Sequence, residues 1–119
     1  MKTQIIKFKD PENSYSVIIG NKVLRFLPGK IKKLCPHTRK IGLIFDKNIP
    51  NKFKKDLKKK LKKYNLNFFN FEASEKTKSF KIVNNILNAL LKKNFNRTDL
   101  IIGVGGGITG DVSGFIASI

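Results

Sequence analysis

The sequence predicts an α/β fold in which a mostly parallel sheet carries helices on both faces. Short apolar runs alternate along the 119 residues with stretches whose apolar side chains recur at helical spacing. Two of these runs, residues 40–45 and 100–104, are apolar nearly throughout, which is typical of strands buried on both faces of a parallel sheet. Strands that alternate with helices form βαβ connections, and the length suits one domain.

The chain opens with a predicted strand, a short helix and a second strand. Residues 15–20 are β-rich and end in a turn signal. Residues 23–33 carry apolar side chains at helical spacing, but Pro28 and Gly29 interrupt that pattern. We therefore expect a short helix followed by a turn before the buried strand at 40–45.

Residues 51–64 predict a helix that is capped by Asn51 and is rich in lysine. Its apolar stripe consists of Phe53, Leu57, Leu61 and Tyr64. The lysines admit two interpretations, a face for phosphates or a membrane surface and a solvated outer face over one apolar stripe. We favour the solvated face.

The second half of the chain continues the alternation. Its predicted elements are a strand at 66–71, a polar connector at 72–79, a helix at 80–93, the strand at 100–104, three consecutive glycines and a helix at 111–119. The last helix shows no glycine cap, charged last turn or polar tail. We expect this α/β sheet to be incomplete and the chain to be the front part of a longer protein.

The composition constrains the partners of the chain. Its net charge of +17 favours a polyanion, and a small basic module for RNA or another polyanion is one interpretation. However, only three of the 25 basic residues are Arg, whose planar fork suits phosphates and base edges, so the charge alone does not favour nucleic acid. Cys35 alone cannot form an internal disulfide, and no apolar run has membrane-spanning length. Without a secretion signal, we expect a cytoplasmic protein.

The segment at 100–111 has the clearest chemical content. A buried strand leads into Gly105, Gly106 and Gly107, and a helix follows. Glycines allow positive φ and close approach of a ligand, and the N-terminus of a helix binds anions such as a pyrophosphate. The spacing also matches the GxGxxG pattern by letter, although the position after the fourth strand is atypical. The alternative is a tight turn that holds no ligand.

Residues 105–115 resemble the GGGxxGDxxGF segment of the 3-dehydroquinate synthase family. Other stretches resemble parts of that family in the same order: 15–20 its opening strand, 45–49 the end of its second strand, 73–79 a Gly-Glu-x-x-Lys-Ser segment, and 97–100 the approach to the strand before the glycines. Ser74 departs from the family, which usually has glycine there. The resemblance implies that residues 1–119 are a partial, Rossmann-like NAD-binding domain.

The resemblance also implies the cofactor residues. Asp46 would accept hydrogen bonds from the adenosine ribose, with Asn48 beside it. Glu75 and Lys78 would lie along the ribose and phosphate, and the three glycines at 105–107 would carry the pyrophosphate. Asp111, expected in the first turn of the last helix, would face the nicotinamide half, unless it only complements the helix dipole.

The activity that the resemblance implies is conversion of a heptulosonate phosphate to 3-dehydroquinate, a step of the shikimate pathway in aromatic amino acid biosynthesis. Family members also use a divalent metal, Zn or Co, whose ligands lie in a helical C-terminal domain that is absent from this sequence. We therefore expect no catalytic or metal-binding residue in this chain, His37 included, and no turnover by the chain alone. Sugar-phosphate substrate and a homodimer are expected only for the longer protein. Related sugar-phosphate cyclases and metal-dependent polyol or glycerol dehydrogenases remain alternatives.

Overall fold

The structure is a computed structural model that describes residues 3–9, 14–72 and 80–119. Its elements are β1 (Gln4–Lys9), β2 (Ser14–Ile19), a 3-10 turn (Val23–Phe26), α1 (Leu27–Leu34), β3 (Lys40–Asp46), α2 (Asn51–Lys60), β4 (Asn65–Phe71), α3 (Phe80–Lys92), β5 (Leu100–Val104) and α4 (Gly107–Ser118). Within these ranges, no helix has the length and apolar character needed to cross a bilayer.

A three-stranded parallel sheet with helices on both faces forms the core. Its strand order is β4–β3–β5, and both pairings are parallel. Central β3 is almost completely buried, because side chains on its two faces pack against different helices. One cluster joins it to α1 and α2 through Ile31, Leu57 and Leu61, and the other joins it to α3 and α4 through Val83, Ile86, Leu90, Val112 and Ile116. The predicted α/β class is confirmed.

The first predicted strand lies outside that parallel sheet. It corresponds to β2, which pairs antiparallel with β1, an element that the sequence pattern does not predict. One face of this two-stranded ribbon is apolar, and its side chains are 39–62% exposed. They are Ile6, Phe8, Tyr15, Val17 and Ile19, and the rings of Phe8 and Tyr15 stack with centroids 4.8 Å apart.

Two predicted helix boundaries are wrong, and proline accounts for both. Pro28 and Gly29 do not end a helix but lie in the first turn of α1, where proline is tolerated because its missing N–H has no helical partner to lose. Asn51 does not cap α2. Pro50, with an extended backbone (φ −58°, ψ 142°), occupies the N-cap position, and Asn51 is already helical.

The lysines of α2 do not all lie on a solvated face. The amines of Lys54 and Lys58 lie 5.3 and 5.2 Å from the centre of the Phe68 ring on β4. Both ammonium groups lie over the face of the ring, where the negative face of the π-system attracts them. Part of the lysine content therefore takes part in packing α2 on the sheet.

Candidate functional site

The carboxyl ends of β3 and β5 bring two predicted site residues together. Phe45 pairs with Val104 at the end of the ladder between β3 and β5, so Asp46, the last residue of β3, and Gly105, the first residue after β5, come next. A Cβ placed on Gly105 would lie 3.0 Å from the Cβ of Asp46. Ligands of open α/β sheets bind in the crevice at this edge.

The three glycines at this edge serve different purposes. Gly105 has a φ of +156°, and a Cβ there would lie 2.4 Å from Thr109 Oγ1, so no larger residue fits. Gly106 has extended backbone and forms the N-cap of α4, and Gly107 is the first helical residue. A Cβ on either of these two would meet no atom within 4 Å. Tight packing therefore explains Gly105, whereas open space surrounds Gly106 and Gly107.

The N-terminus of α4 faces this open space with unsatisfied donors. The first α-helical bond runs from the Gly110 N–H to the Gly106 carbonyl, at 3.1 Å. The N–H groups of Gly107, Ile108 and Thr109 consequently have no partner within the helix. Such groups, together with the helix dipole, favour an anion, and the first turn contains no acidic side chain to repel one.

Asp111 does not lie where the sequence pattern placed it. The helix begins at Gly107, because the extended Gly106 ends the loop earlier than expected. Asp111 is therefore the fifth helical residue and lies beyond the first turn, where the dipole effect has largely decayed. The predicted first-turn position is wrong, and the simple dipole role is weakened with it. Its side chain is exposed.

Asp46 shapes the turn after β3. Its Oδ1 accepts the N–H of Asn48 at 3.1 Å, and its backbone carbonyl accepts the N–H of Ile49 at 3.0 Å. The backbone of Asn48 is thereby held beside Asp46. Over the described ranges no hydrogen bond to Asp46 Oδ2 is present, which leaves an acceptor for a ligand hydroxyl. Lys47 points elsewhere and pairs with Glu72, with Nζ and Oε2 3.0 Å apart.

Two predicted cofactor residues, Glu75 and Lys78, lie outside the described residues. They belong to the segment 73–79 between β4 and α3. Their roles stay predictions.

Two buried hydroxyls behind the glycine turn were not predicted. Thr109 is fully buried and Ser113 nearly so, and neither hydroxyl has a hydrogen-bond partner among the described residues. A Cβ on Gly103 would lie 2.5 Å from Ser113 Oγ, just as one on Gly105 would meet Thr109. Two glycines two residues apart, one on β5 and one directly after it, and two hydroxyl residues four apart on α4 thus let the helix pack closely on the strand. That spacing was visible in the sequence.

A cleft of about 180 Å³ adjoins Asp46 on the side of β4 and α2. A larger cavity, of about 500 Å³, lies at the opposite, amino edge of the sheet. The carboxyl edge is the candidate ligand site although its cleft is smaller, because the glycine turn and the open helix N-terminus are there. Clusters of three or more His, Cys, Asp or Glu side chains suited to a metal are absent from the part of the chain that the structure describes.

The amino edge is held by a hydrogen-bonded loop. Asp99 accepts the backbone N–H groups of Arg39, Lys40 and Asn96, and Thr38 donates to the Thr98 carbonyl at 2.7 Å. Burial would raise the pKa of Asp99, but these backbone donors and the nearby Lys40 charge outweigh it and hold the pKa below its usual value. The polar groups of this edge thus bind one another.

Comparison with known proteins shows which proteins this chain is similar to. The sequence profile of the 3-dehydroquinate synthase N-terminal family matches residues 68–119. The 3-dehydroquinate synthase of Pelagibacter ubique is 48% identical over 116 residues, which are 96% of this chain and 32% of that protein. The chain matches 3-dehydroquinate synthases over nearly its whole length. The enzyme of Prochlorococcus marinus subsp. pastoris is 37% identical, covering 89% of this chain and 30% of that protein.

Solved structures share the fold of this chain. The crystal structure of 2-deoxy-scyllo-inosose synthase superimposes with a TM-score of 0.81 and 24% identity, over 99% of this chain and 33% of that one. A second structure of that enzyme, with a TM-score of 0.81 and 24% identity over 99% of this chain and 31% of that one, is a complex with carbaglucose-6-phosphate, NAD+ and Co2+. This likeness concerns the fold. The chain spans about a third of the length of the curated family members that it matches.

Proposed function

We propose that this chain forms the NAD-binding part of a 3-dehydroquinate synthase. The observation that carries the proposal is the meeting of Asp46 with Gly105 at the carboxyl edge, directly before the open N-terminus of α4. An acid at the end of one strand and a glycine turn at the end of its neighbour are the two groups that a dinucleotide needs, for a ribose and for a pyrophosphate. A fold relative was solved with NAD+ bound.

The residues present fit this cofactor. Open space at Gly106 and Gly107 lets the pyrophosphate approach the backbone, and the N–H groups of the first turn of α4 would donate to it. Asp46 would accept a ribose hydroxyl through Oδ2, with Asn48 beside it. Glu75 and Lys78 would continue this contact along the ribose and phosphate. Asp111, although one turn further along, would face the nicotinamide half.

The reaction of the longer protein would convert a heptulosonate phosphate to 3-dehydroquinate with release of phosphate. Bound NAD supplies a transient hydride acceptor for this chemistry. The described residues of this chain would bind and orient the cofactor, and we assign no catalytic residue to them. They contain no metal ligand set, so we assign them no step through a divalent metal. As a biosynthetic enzyme of this family, the longer protein would act in the cytoplasm as a homodimer.

The relatives favour the synthase over the other cofactor enzymes considered. Six curated relatives with 33–48% identity are all 3-dehydroquinate synthases. Related cyclases and polyol dehydrogenases would share the glycine turn, and the Asp111-x-x-Gly114-Phe115 continuation resembles the synthase segment more than theirs.

The test is a calorimetric titration of the chain with NAD at low salt and at about 0.5 M salt, where exposed charges are strongly screened. We expect binding that persists at high salt and is lost in Gly106→Val, because a branched side chain would occupy the space for the pyrophosphate. The open position leaves the fold of this variant intact. Gly114→Val, also open but two turns along the same helix, is the matched control and should bind as the wild type does.

Two results would contradict the proposal. Unchanged NAD affinity in Gly106→Val would remove the glycine turn from cofactor binding. Binding that collapses with salt and ignores Gly106 would instead support the basic polyanion module, since phosphate contacts by lysine weaken steeply with salt.

A further inference from the structure

The cavity of about 500 Å³ at the amino edge of the sheet lies between two loops. One loop, residues 36–39, leads into β3, and the other, residues 96–99, leads into β5. The volume falls within the roughly 300–1,000 Å³ of sites for small molecules. Of the described residues that line this cavity, Pro36 is the only apolar one. The lining therefore suits a hydrophilic ligand.

Hydrogen bonds between the two loops fix the walls of this cavity. The Thr38 hydroxyl donates to the Thr98 carbonyl at 2.7 Å. Asp99 Oδ1 accepts the backbone N–H groups of Arg39 and Lys40, at 3.3 and 3.0 Å. These contacts join residues 59 or 60 positions apart in the chain. Because the loops are already held together, a ligand does not have to order them when it binds.

Three charged side chains line the cavity, and two of them are already bound within the protein. The Asp99 carboxylate accepts three backbone N–H groups. The Lys40 amine donates to the carbonyls of Lys93 and Asn94, at 2.6 and 3.1 Å, just beyond the C-terminal end of α3. The guanidinium of Arg39, in contrast, takes part in no hydrogen bond or ion pair among the described residues. The charge left over at this cavity is therefore positive.

Two neutral side chains add hydrogen-bond donors to that free charge. Asn96 Oδ1 accepts both the N–H and the hydroxyl of Thr98, at 2.9 and 2.6 Å, so the two N–H groups of Nδ2 are directed away from Thr98. His37 carries at least one ring N–H, and its ring has no hydrogen-bond partner within the described ranges. The carboxylate and amide oxygens are thus occupied while donors remain, which favours a ligand that accepts hydrogen bonds and carries negative charge.

We propose that this cavity binds a small oxyanion, the phosphate or carboxylate group of a hydrophilic ligand, with Arg39 as its charged anchor and His37 and Asn96 as further donors. The planar fork of arginine can donate two parallel hydrogen bonds to two oxygens of such a group. The cavity and the cofactor site lie at opposite ends of the parallel strands. The anion site is therefore independent of NAD binding.

The test is a titration of the isotope-labelled chain with sodium phosphate, followed by the NMR chemical shifts of the backbone amides. The amides of Arg39, Asn96 and Thr98 report on the cavity, whereas those of Gly107 and Ile108 report on the N-terminus of α4. Ionic strength is held constant with sodium chloride, so that screening of the +17 charge does not change during the titration. We expect saturable shifts at the amides of the cavity.

A parallel titration with acetate distinguishes the two sources of an oxyanion. Tighter binding of phosphate would assign the site to phosphorylated ligands, and tighter binding of acetate would assign it to carboxylates. Either result supports the anion site, provided that the shifts saturate at the amides of the cavity.

The variants separate the Arg39 anchor from the general positive charge of the chain. Arg39→Gln keeps the backbone N–H that binds Asp99 and should weaken phosphate at the cavity roughly tenfold, the cost of a hydrogen bond between charged groups. Arg39→Lys keeps the charge but not the planar fork, and should weaken phosphate less. Arg97→Gln is the matched control, because Arg97 lines a different groove, beside α3 and α4. It removes the same charge from a nearby position and should leave the affinity unchanged.

Three results would overturn the proposal. Absence of saturable shifts at the cavity amides, with phosphate and with acetate, would exclude an anion site there. Equal weakening by Arg39→Gln and Arg97→Gln would mean that phosphate responds only to the general positive charge. Shifts confined to Gly107 and Ile108 would place the anion at the glycine turn alone, which would leave the proposed function standing.

Discussion

The two ends of the parallel sheet differ in where their polar groups are directed. At the amino end Asp99 accepts three backbone N–H groups, and the Lys40 amine donates to the carbonyls of Lys93 and Asn94, just beyond the end of α3. At the carboxyl end the first N–H groups of α4 have no helical partner, and the hydroxyls of Thr109 and Ser113 are buried without one in the part of the chain that the structure describes. Internal hydrogen bonds at one end stabilise the fold, and the N–H groups that begin α4 at the other end are available to a ligand.

Gly105→Ala should give the largest change in stability. It would show that the carboxyl end of the sheet is closely packed at Gly105. The new Cβ would lie 2.4 Å from Thr109 Oγ1 and 3.0 Å from Asp46 Cβ, in a backbone conformation that favours glycine. We expect the free energy of unfolding to fall by about 2–4 kcal/mol, measured by urea denaturation. Gly114→Ala, at an open helical position, should instead be neutral or stabilise by up to about 1 kcal/mol. Equal midpoints for the two variants would contradict the packing described for Gly105.

Asp99→Asn should lower stability by about 1–2 kcal/mol near neutral pH, because a charged acceptor of three N–H groups is replaced by a neutral one. The pKa of Asp99 lies below its ordinary value of 3.8 in the folded protein. Its contribution is therefore fully present above 3.8 and is lost as the pH falls through the lower, folded-state pKa.

The measurement for Asp99 is the pH dependence of urea unfolding for wild type and Asp99→Asn. The difference in unfolding free energy between them should be constant near neutral pH and shrink in acid. NAD affinity should not change, because Asp99 lies at the end opposite to the cofactor site. A difference that persists unchanged through the acid range would argue against a stabilising Asp99 carboxylate.

The smallest expected changes in stability come from replacing a threonine by valine at each end of the sheet. These two changes should have opposite signs. Thr38→Val removes a hydroxyl that donates to the Thr98 carbonyl at 2.7 Å, and should destabilise by about 1 kcal/mol. Thr109→Val removes a buried hydroxyl with no partner among the described residues, and should be neutral or stabilise by about 1 kcal/mol. Changes of opposite sign in the melting temperatures of the two variants would support the comparison. A loss of equal size at both positions would mean that Thr109 has a partner in solution.

The parallel core and half of the site could be predicted from the sequence. Strands 40–45 and 100–104 are apolar enough to indicate burial on both faces, and parallel strands place their carboxyl ends at one edge. That reasoning places Asp46 and Gly105 at the same edge of the sheet, but only the strand order β4–β3–β5 of the structure makes them neighbours. The start of α4 was missed because three glycines carry no helical signal, and Gly107 is helical only through its bonds to later residues.

Other features depend on contacts that no local pattern shows. Every residue of β1 is exposed, so its conformation depends on pairing with β2. The Lys54–Asn70 contact joins a helix to a strand 16 positions away, and it exists only after α2 has packed on the sheet. From the sequence alone, Pro28 could end a helix or lie in the first turn of one. In the structure the 3-10 turn ends at Phe26 and α1 begins at Leu27, so Pro28 lies in the first turn.

The apolar face of the β1–β2 ribbon, together with the +17 charge, determines how copies of the chain behave in concentrated solution. At low ionic strength, mutual repulsion keeps molecules apart and the ribbons do not meet. Salt shortens the range of that repulsion to a few ångströms and leaves the apolar faces free to touch. We therefore expect the colloidal stability of this chain to be electrostatic and to be greatest in dilute buffer.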